Sequence, residues 1–419
     1  MSIIRLGIIA IVTLIIWLAF VFFSAWSGLW MNPAVDGGKT DEFFTYAVNT
    51  LQANNRGSSA LVLIENGEVA GEFYASPDNS VNADTVFAAA SLSKWFAATA
   101  MMKLVEGGHA ELDSPVSRYL TRWQLPGSEF SHEAITIRRL LSHTAGFADG
   151  LGFGDYGPDE ALPQLEEELA NPRTSSGRPV EIAATIEPGT EFRYSGGSYL
   201  LLELLIEEIS NRPFDHYLQQ TLFTPLEMTR SGYEYLSSYD NHTGAYKVDG
   251  TAAQSYQYAS SAATGLVISS NDLTRFVLSQ LSPEVSGFPI TGQSIQAMRS
   301  PHGKSAGFDI WGLGAILYAP TPDGDFIFGH DGSNDPAINT TARINPDTND
   351  AIIVMINGHP SIATNIGSDW VLWQTGYPDL FATDAVFASM IKPAIAGCAI
   401  IAIFIFSVGA ITRFKKPRA

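Results

Sequence analysis

Two uncharged stretches bracket this chain of 419 residues and limit what it can become. Leu6 to Trp26, LGIIAIVTLIIWLAFVFFSAW, carries no charge over 21 residues, and Pro393 to Thr412, PAIAGCAIIAIFIFSVGAIT, carries none over 20. About 20 apolar residues in a helix cross the hydrocarbon core of a bilayer, so the sequence predicts one transmembrane helix at each end. The first run is longer than a usual signal-peptide core and lacks a clear pair of small residues ahead of a cleavage point, and it is read as an uncleaved anchor. Arg5 precedes it, and Arg413, Lys415, Lys416 and Arg418 follow the second run. Positive flanks stay inside, so both termini are expected in the cytoplasm and the segment between them periplasmic or extracellular, on a cell (inner) membrane. The expected organisation is an N-terminal anchor over 1–30, a globular domain over 31–385 with a helical subdomain at about 95–300, a second membrane helix over 386–413 and a basic cytoplasmic tail over 414–419.

Charge and cysteine usage exclude several functions. Without the five terminal basic residues, 19 of the 24 remain against 43 acidic ones, all lying between the two apolar runs, and so acidic a segment does not suit nucleic acid. The single cysteine, Cys398, lies inside the second run, which rules out an internal disulfide and thiol catalysis in the exported part. No H-E-x-x-H, C-x-x-C or P-loop occurs, so neither metal nor cofactor is expected. LGFGDYGPDE (151–160) contains G-x-G-x-x-G outside the strand-to-helix context of a nucleotide site and reads as a loop.

The middle of the chain has a clear order. GSSALVLIENGEVAGEFYA (57–75) is two strand-like runs joined at Asn66-Gly67, a hairpin signal. A mostly helical, loop-rich region follows to about residue 300, including SYLLLELLIEEIS (198–210), while LPQLEEELANPRTSSGRP (162–179) reads as a solvated loop. Strand signals return in WGLGAILYA (311–319), DFIFGH (325–330), TTARINP (340–346) and AIIVMIN (351–357). Strands, then helices, then strands predict an α/β (α+β) fold, with an antiparallel sheet flanked by helices and broken by a helical insertion.

One helix carries a chemical oddity. AAASLSKWFAATAMMKLVEGG (88–108) reads as a helix ended by two glycines, and Lys94 is the only charge between Ser91 and Met102. Residues three apart share a helix face, which puts Ser91 and Lys94 together. An ammonium among apolar side chains is costly unless it has a partner. A serine beside an amine near a helix N-terminus is an activated-nucleophile arrangement, although S-x-x-K alone also suits a lysine that merely snorkels.

The motifs that follow narrow the choice. LLSHTAGF (140–147), EPGTEFRYSGGSYLLLELLIEEIS (187–210) and FGHDGSNDP (328–336) come after the serine helix. With these in order, residues 40–360 resemble the serine beta-lactamase-like family, which includes class C beta-lactamases, D,D-carboxypeptidases and other penicillin-binding proteins, D-aminopeptidases and related esterases. The resemblance implies the beta-lactamase/transpeptidase-like fold, Ser91 as the acylated nucleophile, Lys94 as its partner and Tyr194 as the general base. It places His330 in the catalytic set, with Asp331 and Gly332 beside it on the strand edging the active site, and the backbone N–H groups of Ser91 and Ser333 in an oxyanion hole. Gly332 would let substrate approach the strand. His143 is read as architectural, since Tyr194 already fills the base role.

Two departures shape the expected chemistry. Gly196 stands where the lactamase pattern has a substrate-contacting asparagine, and Asp331 replaces a Thr or Ser, putting a carboxylate where it would repel an anion unless paired or turned away. Both are assigned to substrate binding. The expected function is a membrane-anchored serine hydrolase acting through an acyl-enzyme on an amide or ester, such as a D-amino-acid peptide, a peptidoglycan-related peptide or a small ester, with efficient beta-lactam hydrolysis disfavoured. The alternative is a non-catalytic penicillin-binding-like or cell-wall ligand-binding protein on the same fold. Expected partners are a small-molecule or peptide substrate and the membrane. His330, with an ordinary pKa near 6.5, is expected to titrate between about pH 5 and 8.

Overall fold

The computed structural model describes residues 3–77, 81–150, 156–174, 177–281 and 289–414. Residues 151–155 of the glycine-rich stretch, 175–176 of the polar stretch and the basic tail from 415 lie outside them.

An eight-stranded sheet organises the domain. Its order is Glu68–Ala75, Ser59–Glu65, Asp350–Asn357, Ile338–Asn345, Phe326–Asn334, Ile316–Pro320, Phe308–Trp311 and Gly303–Ser305. Every neighbouring pair is antiparallel. Alternation along Asp350–Asn357 explains its unbroken apolar sequence: Ala351, Ile353 and Met355 enter the core on one face, and Ile352, Val354 and Ile356 the core on the other. A strand buried on both sides has no polar face to show. The back face is covered by helices Thr40–Asn54 and Ile362–Thr375, through Phe43, Ala47, Ile366 and Trp370. The front face carries Ser93–Glu106, Gly196–Ser210 and Ser270–Leu281, where Trp95, Phe96, Phe276 and Phe328 form an aromatic cluster.

The antiparallel sheet with its helical insertion agrees with the sequence, but local details differ. WGLGAILYA is two strands, because the chain turns at 312–315, where Gly314 (φ +81°) lies so close to the serine helix that a Cβ would stand 2.1 Å from that of Ala98. DFIFGH continues to Asn334. The serine segment is not one helix, since a 3₁₀ turn over Ala90–Leu92 precedes the α-helix. The expectation of a solvated loop at 162–179 is corrected by helix Leu165–Ala170. There Leu169 joins the main core, and the buried Glu168 accepts hydrogen bonds from Tyr156 Oη and Arg173 N.

The terminal segments form helices Ile3–Ala25 and Thr383–Phe414, each long and apolar enough to cross a membrane over Ile4–Ala25 and Thr383–Ala410. They pack on one another: the Trp17 indole N–H donates to Pro393 O at 3.2 Å, beside Gly397.

Candidate active site

Backbone geometry sets the serine apart before any side chain does. Ala90 has φ +49°, a left-handed conformation that L-residues avoid, and it turns the chain into the 3₁₀ segment that holds Ser91. Ser93 fixes this turn from within: its hydroxyl donates to Ala90 O at 2.6 Å and accepts from Leu266 N at 3.0 Å. Ser91 itself is half-buried at the cleft.

Lys94 Nζ donates to Ser91 Oγ at 3.1 Å and to Ala263 O at 2.7 Å, and it lies 5.0 Å from the centre of the Tyr194 ring and 5.6 Å from that of Tyr199. It is 2% exposed and forms no ion pair with a carboxylate among the described residues. A cation within about 6 Å of an aromatic face is attracted to it, so two rings, a carbonyl and the serine stand where a carboxylate would ordinarily be.

Ala263 belongs to a wide π-helical turn, Ser261–Gly265, and the residue that anchors this turn was not anticipated. The Glu203 carboxylate accepts from Ser260 Oγ at 2.8 Å and Ala262 N at 2.9 Å, aligning the carbonyl that Lys94 uses. Burial raises its pKa to about 7 against these hydrogen bonds. Its signal was present in LLLELLI, where one acid interrupts an apolar helix face.

Tyr194 precedes helix Gly196–Ser210, with its ring partly exposed to the cleft and 4.5 Å from the His143 ring. Ser195 caps this helix by accepting from Ser198 N, and it donates to Asp149, which also accepts from Gly197 N. Gly196 is the buried first residue of the helix, directly after this cap. His143, at φ +55°, accepts from Ser195 N at Nδ1, 3.1 Å away, and thereby props the tyrosine turn. Burial, then Lys94 and His330, hold its pKa well below the usual imidazole value. Trp311 was also missed; its ring lies 5.6 Å from that of Tyr194, 4.7 Å from His143 and 5.4 Å from His330.

Strand Phe326–Asn334 brings in the remaining residues. Pairing with Ile316–Pro320 stops at Gly329, so residues 330–334 have a ladder partner only in Ile338–Asn345. Ser333 is exposed on this open edge. Gly332 is required for a different reason from the expected one. A Cβ there would stand 2.2 Å from Ala89 O and 2.4 Å from Thr340 Oγ1, so the missing side chain admits the protein's own serine turn.

Asp331 requires a correction as a substrate-binding residue. Neighbouring residues of a strand point to opposite faces, and Asp331 faces away from His330 into the back layer. It is met there by Arg343 Nη2 at 3.1 Å, Tyr318 Oη at 2.9 Å and Thr341 Oγ1. Its carboxylate is paired, so the expected repulsion of anionic substrates at this position falls away.

His330 corrects the pH expectation. Nδ1 lies 2.6 Å from Asp331 O, a pure acceptor, so Nδ1 carries the proton. Burial first, and then the Lys94 ammonium, push the ring down to about 3. A buried neutral imidazole stabilises the fold above the unfolded-state value near 6.5, and this contribution is lost as pH falls from there toward 3. The ¹³C resonance of the His330 ring, identified by its absence in His330→Asn, is expected to stay flat from pH 8 to 5. A midpoint near 6.5 would show that the ring is solvated.

Comparisons with known proteins give the family and the fold. The sequence model of the beta-lactamase family matches residues 44–376. Protein flp of Staphylococcus aureus (strain N315) is 24% identical over 320 residues, which is 73% of this chain but only 61% of that protein's length. Penicillin-binding protein 4 of Amycolatopsis lactamdurans is 27% identical over 177 residues, 41% of this chain and 44% of the relative. Among solved structures, the octameric penicillin-binding protein homologue from Pyrococcus abyssi superposes with a TM-score of 0.62 at 23% identity, covering 80% of this chain and 78% of the other. The beta-lactamase/D-alanine carboxypeptidase from Yersinia pestis gives 0.61 at 18% identity, covering 80% and 98%. At these identities the structural likeness is one of fold.

Proposed function

The chain belongs to the beta-lactamase family, and on that premise we propose that it is a membrane-anchored serine hydrolase that cleaves an amide or ester through an acyl-enzyme. The carrying observation is the 3.1 Å hydrogen bond between Lys94 Nζ and Ser91 Oγ at a lysine with no carboxylate partner among the described residues. Ser91 Oγ forms the acyl bond, its proton passes through Lys94 and Tyr194 to the departing amine or alcohol, and water then releases the acid with Tyr194 as base. The Ser91 and Ser333 N–H groups receive the oxyanion. His330 remains neutral and orients the cleft edge, while Gly196 offers substrate no side chain where the lactamase pattern has an asparagine.

The substrate class is a D-amino-acid peptide, a peptidoglycan-related peptide or a small ester. The two terminal helices are the membrane anchors, with the domain outside and both termini in the cytoplasm. A fluorophosphonate probe is expected to label the wild type at Ser91 and to leave Ser91→Ala unlabelled, with a fluorescent penicillin as the comparison probe. Equal labelling of both proteins by the fluorophosphonate would sink the mechanism.

A further inference from the structure

The structure assigns the hairpin Gly303–Trp311 as a lipid-contacting edge that seats the cleft over the bilayer, and with it a substrate borne by a molecule anchored in the same membrane. The inference rests on reading the terminal helices as membrane spans. Its starting point is the joint between those helices and the domain, which is tight. Gly28 (φ +77°) abuts Gly376 so closely that a Cβ would stand 2.1 Å from Gly376 O, and the Trp373 indole donates to Gly37 O at 2.9 Å. The anchors therefore hold the domain in a defined attitude.

Aromatic side chains gather at this joint. The Trp26 ring, at the end of the first apolar run, lies 5.0 Å from the Phe308 ring and 6.3 Å from that of Phe387. Phe308, Tyr377, Phe381 and Phe387 are exposed, Phe308 and Phe387 even with Trp26 beside them. Phe387 precedes the uncharged run from Pro393 by six residues, roughly 9 Å of helix, and the head-group layer is about 5–8 Å deep on each side of the hydrocarbon core. Tryptophan and tyrosine gather at that depth in interfacial belts, and the joint carries the half-buried Trp26 and the exposed Tyr377. The hairpin tip beside them, Ser305, Ala306 and Gly307, is uncharged, and Lys304 pairs with Asp309 at 3.0 Å. Because the domain is acidic, the contact with lipid is apolar and needs no anionic head group.

The same hairpin leads to the reactive groups. Phe308 and Trp311 end one strand, about 10 Å apart at ~3.3 Å per residue. Trp311 reaches the rings of Tyr194 and His330 at 5.6 and 5.4 Å. Along this path the contacts Trp26–Phe308 and Trp311–Tyr194 link the anchor joint to the cleft within about 30 Å. A substrate tethered in the same bilayer meets it at a high effective concentration, and a soluble one does not.

Full-length protein in phosphatidylcholine vesicles tests this, with single cysteines placed by Phe308→Cys, Val248→Cys or Ile403→Cys in a Cys398→Ser background, each labelled with a bimane and read against spin-labelled lipids. Shallow quenchers are expected to dim the label at 308 at least about twofold more than at 248, and deep quenchers to dim the label at 403. Quenching at 403 with none at 308 beyond the 248 level overturns the inference and spares the anchors. No quenching at 403 overturns the anchor reading, and the inference with it. On activity, Phe308→Glu is expected to lower kcat/KM roughly tenfold for a long-chain nitrophenyl ester held in the vesicles, with no more than about a twofold change for nitrophenyl acetate in solution. Equal effects on both esters would overturn it.

Discussion

Ser91→Ala is expected to lose at least about 10³-fold in kcat on a nitrophenyl acylate, and adding Lys94→Ala to it is expected to cost almost nothing more. Residues of one catalytic unit fail together, because the second has no task once the first is gone. Lys94→Ala alone should fall nearly as far: it removes the 3.1 Å bond to Ser91 and also empties the position held by Ala263 O. Steady-state rates of the two single variants and the double variant decide the matter. Multiplicative losses would mean that serine and lysine act independently, which is incompatible with an activated pair.

Arg343→Met is expected to destabilise the domain by about 3–5 kcal/mol, the cost of stranding buried charge when one partner of an ion pair is removed. The guanidinium is 1% exposed and bonds Asp331, Asp379, Thr341 Oγ1 and Thr364 O, with the Tyr318 ring 3.9 Å away. Burial opposes its charge, but Asp331 and Asp379 more than offset this and hold its pKa above the usual value. Burial raises that of Asp331, against the pull of Arg343 and the Thr341 and Tyr318 hydroxyls. Thermal melting of the full-length protein in detergent measures the loss, and Asp331→Asn with Asp379→Asn in the Arg343→Met background should restore part of it. A loss below about 1 kcal/mol would place the network in the exposed, solvent-screened class of ion pairs.

Features that depend on short spacing were legible in the sequence. Ser91 and Lys94 are three residues apart, so any helical turn brings them together, and the last two strands carry long β-branched runs with turn residues between them. What stayed hidden depends on register or on distant chain. Asp331 and His330 are adjacent in sequence, and only the register of the finished sheet decides which one faces the cleft. Glu203 meets the Ser260–Ala262 turn from far along the chain, and Asp149 meets Ser195 likewise, contacts that no periodicity announces. Strands Gly303–Ser305, Val86–Ala88 and Val267–Ser269 span three residues each, too few to show alternation. The 3₁₀ entry to the serine helix is set by strain at Ala90, which helix propensity cannot reveal in an alanine.

The pairing of the first central strand with the last one also dictates an order of assembly. Ser59 faces Ile356 and Ile64 faces Ala351, so Ser59–Glu65 can be paired on both sides only after nearly the whole domain has been synthesised. Until then the inner edge of Ser59–Glu65 also waits open, a strand template of the sort that recruits wrong partners. Closing a sheet over so long a sequence separation is slow, because the entropy of the intervening chain is lost before the contacts compensate for it. The ribosome must therefore deliver residues 350–357 before the domain can lock, and a nascent chain halted earlier should remain sensitive to protease even though the serine helix and its neighbours have already been made.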